Sequence, residues 1–200
     1  MSLGHSKIIH KSSISDLTRQ ILLTHEYFTS KDPTIQTNFI KEASTDIDKT
    51  VLELLTNENI DYSNKVIEYW FQYQTEGGLL TPHCDFNCFV RKDVPQENVG
   101  EYLKTVTDLE QYLSPITLSC YLEVSDDIVG GNLCISNYTW EDNVSIDTIL
   151  NSEYEKYFPT QNEVLHFYGS TYYHWIDKVI SGTRKSMLIN LWPNDIIRVC

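Results

Sequence analysis

The segment GGLLTPHCDFNCF, residues 77 to 89, sets His83 and Asp85 two positions apart behind a pair of glycines. In an extended strand, residues i and i+2 share a face, about 6.5 Å apart at the backbone from twice the strand rise. Their side chains can then converge on one ion, while Cys84 between them points the other way. Two ligands hold a metal poorly, so a third must come from elsewhere in the chain. His5, His10 and His25 lie in the N-terminal stretch, which leaves His166 and His174. His174 sits in the strand-like run YYHWIDKVI and is the better partner. His166 alternates with Leu165 and Phe167 and reads as a packed histidine. Two His and one Asp suit Fe(II), with coordination positions left open for substrates. Zinc is the alternative, but structural zinc favours four Cys-rich ligands, and Cys84 and Cys88 have no second pair.

Arg184 stands ten residues beyond His174, past a turn signalled by Ser181-Gly182-Thr183. The expected hairpin lays the Arg184 strand alongside the His174 strand. It puts Arg184, Ser186 and Leu188 on one face and Lys185, Met187, Ile189 and Leu191 on the other. A guanidinium inside a β core is costly unless an anion meets it. A carboxylate bound bidentately would meet it well.

These residues need a scaffold, and the chain changes texture to supply one. Residues 1–64 read as a helical lead-in: Ile14, Leu17, Ile21 and Leu22 fall at helical spacing behind serine caps, and a second helical run covers about 36 to 56. From about Lys65 short β-rich runs follow, separated by Gly, Pro, Asn and Asp: VIEYWFQY, LLTPHCDFNCFV, ITLSCYLEV, NLCISNYTW, EVLHFYG, YYHWIDKVI and RKSMLINLW. Residues 97–113 read as a helical insertion and 145–157 as a second, shorter one. Helices do not alternate regularly with the strands, which disfavours an α/β fold. The expected fold is mainly β (α+β), a double-stranded β-helix (jelly roll) buttressed by N-terminal helices, with its core over 65–195 of a single domain, 1–200.

Composition narrows the function classes. Two hundred residues with 41% hydrophobic and 22% charged content suit one soluble globular domain. A net charge of −13 argues against a nucleic-acid partner. Five cysteines without a C-x-x-C pair read as reduced thiols of a cytoplasmic protein. No apolar run reaches signal-peptide or membrane-spanning length, so no membrane partner is expected.

The ordered set resembles the iron(II)- and 2-oxoglutarate-dependent dioxygenases, on their prolyl-hydroxylase-like branch. The resemblance covers about Val66 to Pro193 and rests on His83-Cys84-Asp85, Tyr121-Leu122-Glu123, Gly130-Gly131-Asn132-Leu133, His174 and Arg184-Lys185-Ser186, with Trp192 in a closing strand. It implies that His83, Asp85 and His174 hold Fe(II) and act in catalysis. It also implies that Arg184, with Ser186 beside it, clasps the distal carboxylate of the cosubstrate 2-oxoglutarate, and that Tyr121 hydrogen-bonds the same group. Tyr73, ten before His83, matches a tyrosine bordering the site. The alternative for either tyrosine is core packing with a satisfied hydroxyl, and it weighs more for Tyr73 than for Tyr121.

The implied reaction consumes O2 and 2-oxoglutarate, releases succinate and CO2, and hydroxylates an unactivated C–H bond of a prolyl residue or of a small metabolite. Asp85 argues against halogenation, because halogenating relatives lack the carboxylate ligand. Asn190 stands where nucleic-acid demethylases of this family carry a second arginine. Asn132 and Glu123 depart from residues common in the family at non-ligating positions. The alternative from another class is a catalytically inactive jelly-roll binding module.

Overall fold

The computed structural model describes residues 7–28, 37–40, 42–85, 113–142 and 144–193. Ten strands form two antiparallel sheets. The larger has the order β1-β8-β5-β10-β3-β2 and the smaller β4-β9-β6-β7. In chain order the strands are β1 Ile8–Ser13, β2 Thr37–Ile40, β3 Lys65–Gln74, β4 Leu80–His83, β5 Thr117–Val124, β6 Leu133–Thr139, β7 Tyr154–Tyr157, β8 Glu163–Phe167, β9 Tyr172–Ile176 and β10 Arg184–Pro193. The α-helices among the described residues are α1 Asp16–Leu23, α2 Asp46–Asn57 and α3 Ile146–Leu150. This is the jelly roll expected from the strand pattern.

Strand parity divides the larger sheet into two working faces. On the outer face Ile67, Tyr69, Phe71, Leu118, Cys120, Leu122, Met187, Ile189 and Leu191 pack against Leu22, Val51, Leu54 and Leu55 of the helices. Each such fully buried side chain contributes about 1.5–3 kcal/mol, which is what fixes the register. On the inner face Tyr121, Leu165 and Phe167 meet Leu133, Ile135 and Ile176 of the smaller sheet. The polar residues of β5 and β10 therefore point between the sheets, where a site can be built.

The helices start where their capping residues stand. Ser15 caps α1, accepting from Thr18 N at 3.0 Å, and Thr45 caps α2, with Asp48 returning the bond to complete a capping box. Ile14 and Leu22 are buried, but Leu17 is 68% exposed, so the helical stripe is narrower than its spacing suggested.

Three findings differ from the sequence expectations. The lead-in is not wholly helical: β1 and β2 belong to the larger sheet. β7 was hidden in the second expected insertion, where α3 supplies only the helical start. Strands β1, β2 and β7 each lie at a sheet edge. An edge strand buries little of either face, so it lacks the alternating apolar signature. Finally, β9 and β10 do not form a hairpin. β9 pairs with β4 and β6, whereas β10 pairs with β3 and β5. The Ser181-Gly182-Thr183 turn carries the chain from one sheet to the other, fastened by Ser125 N to Thr183 O at 3.0 Å and by a bridge between Val129 and Ser181. The insertion at 97–113, apart from Leu113, lies outside the described residues.

Candidate metal centre and anion pocket

β4 and β9 lie side by side in the smaller sheet, with His83 directly opposite His174. Their ring centroids are 4.4 Å apart. Asp85 follows β4 and is tied by its main-chain N–H to Gly169 O at 2.9 Å. Its Oδ1 lies 3.6 Å from His83 Nε2 and its Oδ2 3.7 Å from His174 Nε2. One potential ligand atom from each of the three residues falls within 4.8 Å of the others, the only such group of three among the described residues. The expected i, i+2 convergence is present, and the third ligand arrives from the neighbouring strand.

The histidine tautomers explain why this cluster calls for a cation. Nδ1 of His83 lies 2.8 Å from Thr81 O, and Nδ1 of His174 lies 3.2 Å from Tyr172 O. A carbonyl only accepts, so each Nδ1 carries a proton and each ring turns its Nε2 towards Asp85. Burial lowers the His174 pKa to about 4; His83 pushes the same way and Asp85 opposes, so the ring is neutral at neutral pH. Burial alone would raise the Asp85 pKa, but His174, His83 and the Thr117 hydroxyl outweigh it and hold the carboxyl below the usual range. The His174 lone pair and the carboxylate oxygens, all acceptors, thus face one another. His174 Nε2 has no hydrogen-bond partner among the described residues. A divalent cation satisfies all three groups at once, and two imidazoles with one carboxylate suit Fe(II).

The anion pocket opens further along the inner face of the larger sheet. Thr117, Ser119 and Tyr121 of β5 lie opposite Asn190, Leu188 and Ser186 of β10. Arg184, 1% exposed, places its guanidinium carbon 4.9 Å from the Tyr121 ring centroid. Nη1 donates to Gly131 O at 2.7 Å and Nη2 to Ser186 Oγ at 2.9 Å. Its Nε and the Tyr121 hydroxyl are buried without a hydrogen-bond partner among the described residues. No carboxylate of those residues forms an ion pair with this buried guanidinium, so the site fits a ligand carboxylate. Burial lowers the Arg184 pKa, while Tyr121 and Asp177 oppose the shift. Tyr121 lies four residues from Thr117, about 13 Å along the strand, and Thr117 touches Asp85. The His-Asp-His cluster and the Arg184 pocket thus both border the inner face of β5.

Other residues fall where strand parity sends them. Tyr73, expected to border the site, lies opposite Lys185 on the helix-facing side of β3 and is 41% exposed. Its neighbours Gln72 and Gln74 stand opposite Ser186 and Arg184 instead, each with a buried Oε1 lacking a hydrogen-bond partner among the described residues. Sequence reading missed both glutamines; the alternation that placed Arg184 inward, carried across to β3, would have found them. It missed Gly169 and the part played by Asn190 as well. His166 faces outward and meets Glu58, Nε2 to Oε2 at 3.0 Å, as a packed histidine. Cys84 is 4% exposed, with its thiol 3.8 Å from Thr171 O. Gly130 and Gly131 both have positive φ, as a turn there requires, and the Gly131 carbonyl is the acceptor for Arg184.

No protein-family model and no curated protein sequence matches the chain. Solved structures do. The viral collagen prolyl hydroxylase of Paramecium Bursaria Chlorella virus-1, in complex with 2-oxoglutarate, superposes with a TM-score of 0.55 over 92% of this chain and 94% of that one, at 14% identity. A prolyl-4-hydroxylase of Pseudomonas putida gives a TM-score of 0.55 over 95% of this chain and 87% of that one, at 11% identity. The His-Asp-His cluster and the buried arginine therefore sit on the jelly-roll fold of prolyl-hydroxylase-like 2-oxoglutarate/iron(II) oxygenases.

Proposed function

We propose that the chain is an iron(II)- and 2-oxoglutarate-dependent dioxygenase that hydroxylates an unactivated C–H bond. The observation that carries this reading is a pair of unmet demands bordering the inner face of β5: polar groups converging at His83, Asp85 and His174, and a buried guanidinium at Arg184 with no carboxylate partner among the described residues. His83, Asp85 and His174 would hold the iron. Arg184 and Tyr121, with Ser186 steadying the guanidinium, would hold 2-oxoglutarate. When bound, Fe(II) and 2-oxoglutarate would supply electrons to O2, the oxidant, with one oxygen atom going to succinate as 2-oxoglutarate is oxidised with loss of CO2 and the other to the hydroxylated C–H bond.

The chain's own residues fix orientation and exclude water. Arg184 offers its remaining N–H groups to a carboxylate, and the Tyr121 hydroxyl can donate to the same oxygen. Phe167 stands edge-on to His174, centroids 5.0 Å apart, and Ile135 lies opposite that histidine on β6, so one side of the centre is apolar. The prolyl hydroxylases that share the fold support a peptidyl proline as prime substrate, with a free small metabolite next. Asn190 is engaged with Thr117 rather than offering a second cation, which supports a target other than nucleic acid. Free buried thiols at Cys84, Cys120 and Cys134 support a reducing, cytoplasmic setting, and no helix among the described residues is long and apolar enough to cross a membrane.

The test needs no knowledge of the prime substrate. Fe(II) with 2-oxoglutarate is added to wild type and to Asp85→Ala; thermal unfolding and succinate release under O2 are followed. Wild type should gain about 2.7 kcal/mol at a hundredfold excess of ligand over Kd and release succinate. Asp85→Ala should do neither while keeping its circular dichroism spectrum. Stabilisation of wild type without any succinate would identify an inactive binding module.

A further inference from the structure

Asp85 is held from behind by a chain of buried polar groups that crosses the larger sheet. Its Oδ2 lies 3.1 Å from Thr117 Oγ1, which lies 2.7 Å from Asn190 Oδ1. None of the three is solvated: Asp85 is 4%, Thr117 0% and Asn190 2% exposed. The sheet itself brings the last two together, since Thr117 and Asn190 are direct partners across β5 and β10. A threonine hydroxyl has one proton, and an ionised carboxylate can only accept. Thr117 therefore gives its proton to Asp85. Asn190 must then offer its NH2, a flip of the amide that leaves the heavy atoms in place.

The space behind Asp85 is closed as tightly as its hydrogen bonds are. A Cβ at position 169 would meet Thr117 Oγ1 at 2.3 Å and Asp85 Oδ2 at 2.5 Å. Only glycine allows the 168–170 backbone to lie against the carboxylate and accept its main-chain N–H. Resting on the metal-centre reading above, we infer that Thr117 and Asn190 are positioning residues for that centre: Asn190 aims the Thr117 hydroxyl at Oδ2 of Asp85, leaving Oδ1 as the oxygen presented to the metal.

Groups that orient a ligating carboxylate change metal affinity and ligand field without touching the metal. The test uses Co(II) alone as probe, with affinity from titration and coordination from the visible d–d bands. Thr117→Val, which keeps the shape and removes the hydroxyl, should bind Co(II) about ten- to hundredfold more weakly, with altered bands. Thr117→Ser should restore both. Asn190→Leu should shift both in the same direction by less, because Thr117 keeps its proton but loses its aim. If Thr117→Val does not fold, Asn190→Leu and Thr117→Ser decide the matter. Wild-type affinity and bands in the folded Thr117→Val or Asn190→Leu protein, with Asp85→Ala binding no Co(II), would overturn this inference alone. A wild type that binds no Co(II) would overturn the metal centre as well.

Discussion

Arg184 lies over the ring of Tyr121, its guanidinium carbon 4.9 Å from the ring centroid, and neither residue finds a carboxylate among the described residues. A buried cation against a π face recovers part of its lost hydration, but an N–H and a hydroxyl remain unmet. Arg184→Ala should weaken 2-oxoglutarate binding by about 2–5 kcal/mol, the scale for losing one partner of a buried charge pair. Tyr121→Phe should cost about 0.5–1.5 kcal/mol, one neutral hydrogen bond. Calorimetric titration of 2-oxoglutarate reads both, and equal affinities in all three proteins would remove 2-oxoglutarate from this pocket.

Tyr73 and Gln74 test the parity of β3. The tyrosine faces the helices and the glutamine faces Arg184. Tyr73→Ala should leave 2-oxoglutarate affinity unchanged, whereas Gln74→Leu should lower it by about 1 kcal/mol. The reverse result would place the β3 register one residue out.

Cys84 sits between two proposed ligands, yet its side chain runs to the opposite side, towards Thr171. Cys84→Ser should bind one Fe(II) as the wild type does. The Co(II)-loaded wild type should show no sulfur-to-cobalt charge-transfer band, and the appearance of one would make the thiolate a ligand.

Asp48 ties α2 to the larger sheet. Its Oδ2 accepts from Ser44 N at 3.0 Å and Thr45 N at 2.9 Å, and its Oδ1 from the Tyr69 hydroxyl at 3.0 Å. Burial opposes ionisation, but the Ser44 and Thr45 hydrogen bonds prevail and lower the folded-state pKa. The unfolded value is about 3.9. The stabilisation is therefore complete above that value and is lost as pH falls through the folded-state pKa. Asp48→Asn should cost about 1–3 kcal/mol at pH near 7 and progressively less on acidification. Urea midpoints of the two proteins across that range measure it, and a gap that widens towards acid would reverse the assignment.

The legible and illegible parts of the sequence divide on how much each strand buries. β3, β5, β8 and β10 carry alternating or continuous apolar runs because both faces of the larger sheet are covered, and their positions were readable. The edge strands β1, β2 and β7 were not, since IIHKSS and TNFI each bury a single residue, Ile8 and Ile40, and YEKY buries none fully, too few to show alternation. The convergence of His83 and Asp85 was visible because i, i+2 spacing is local. The pairing of Arg184 was misread for the opposite reason: which sheet a strand joins after a turn depends on distant partners, and β10 pairs with β3 from Arg184 with Gln74 to Pro193 with Lys65, more than a hundred residues away. Tyr73 failed by a single residue, the smallest error that changes a face.

The pairing of β1 with β8 joins Ile8 to Phe167 and Ser13 to Glu163. Synthesis delivers those ends far apart in time, so the strand spanning Ile8–Ser13 waits unpaired until most of the described chain has left the ribosome. Closing so long a loop makes late folding slow, and the waiting β8 edge is open to other chains. Refolding yield should therefore fall with protein concentration more steeply than native-state solubility does, and shortening the chain to begin at Ile14 should leave that edge permanently exposed.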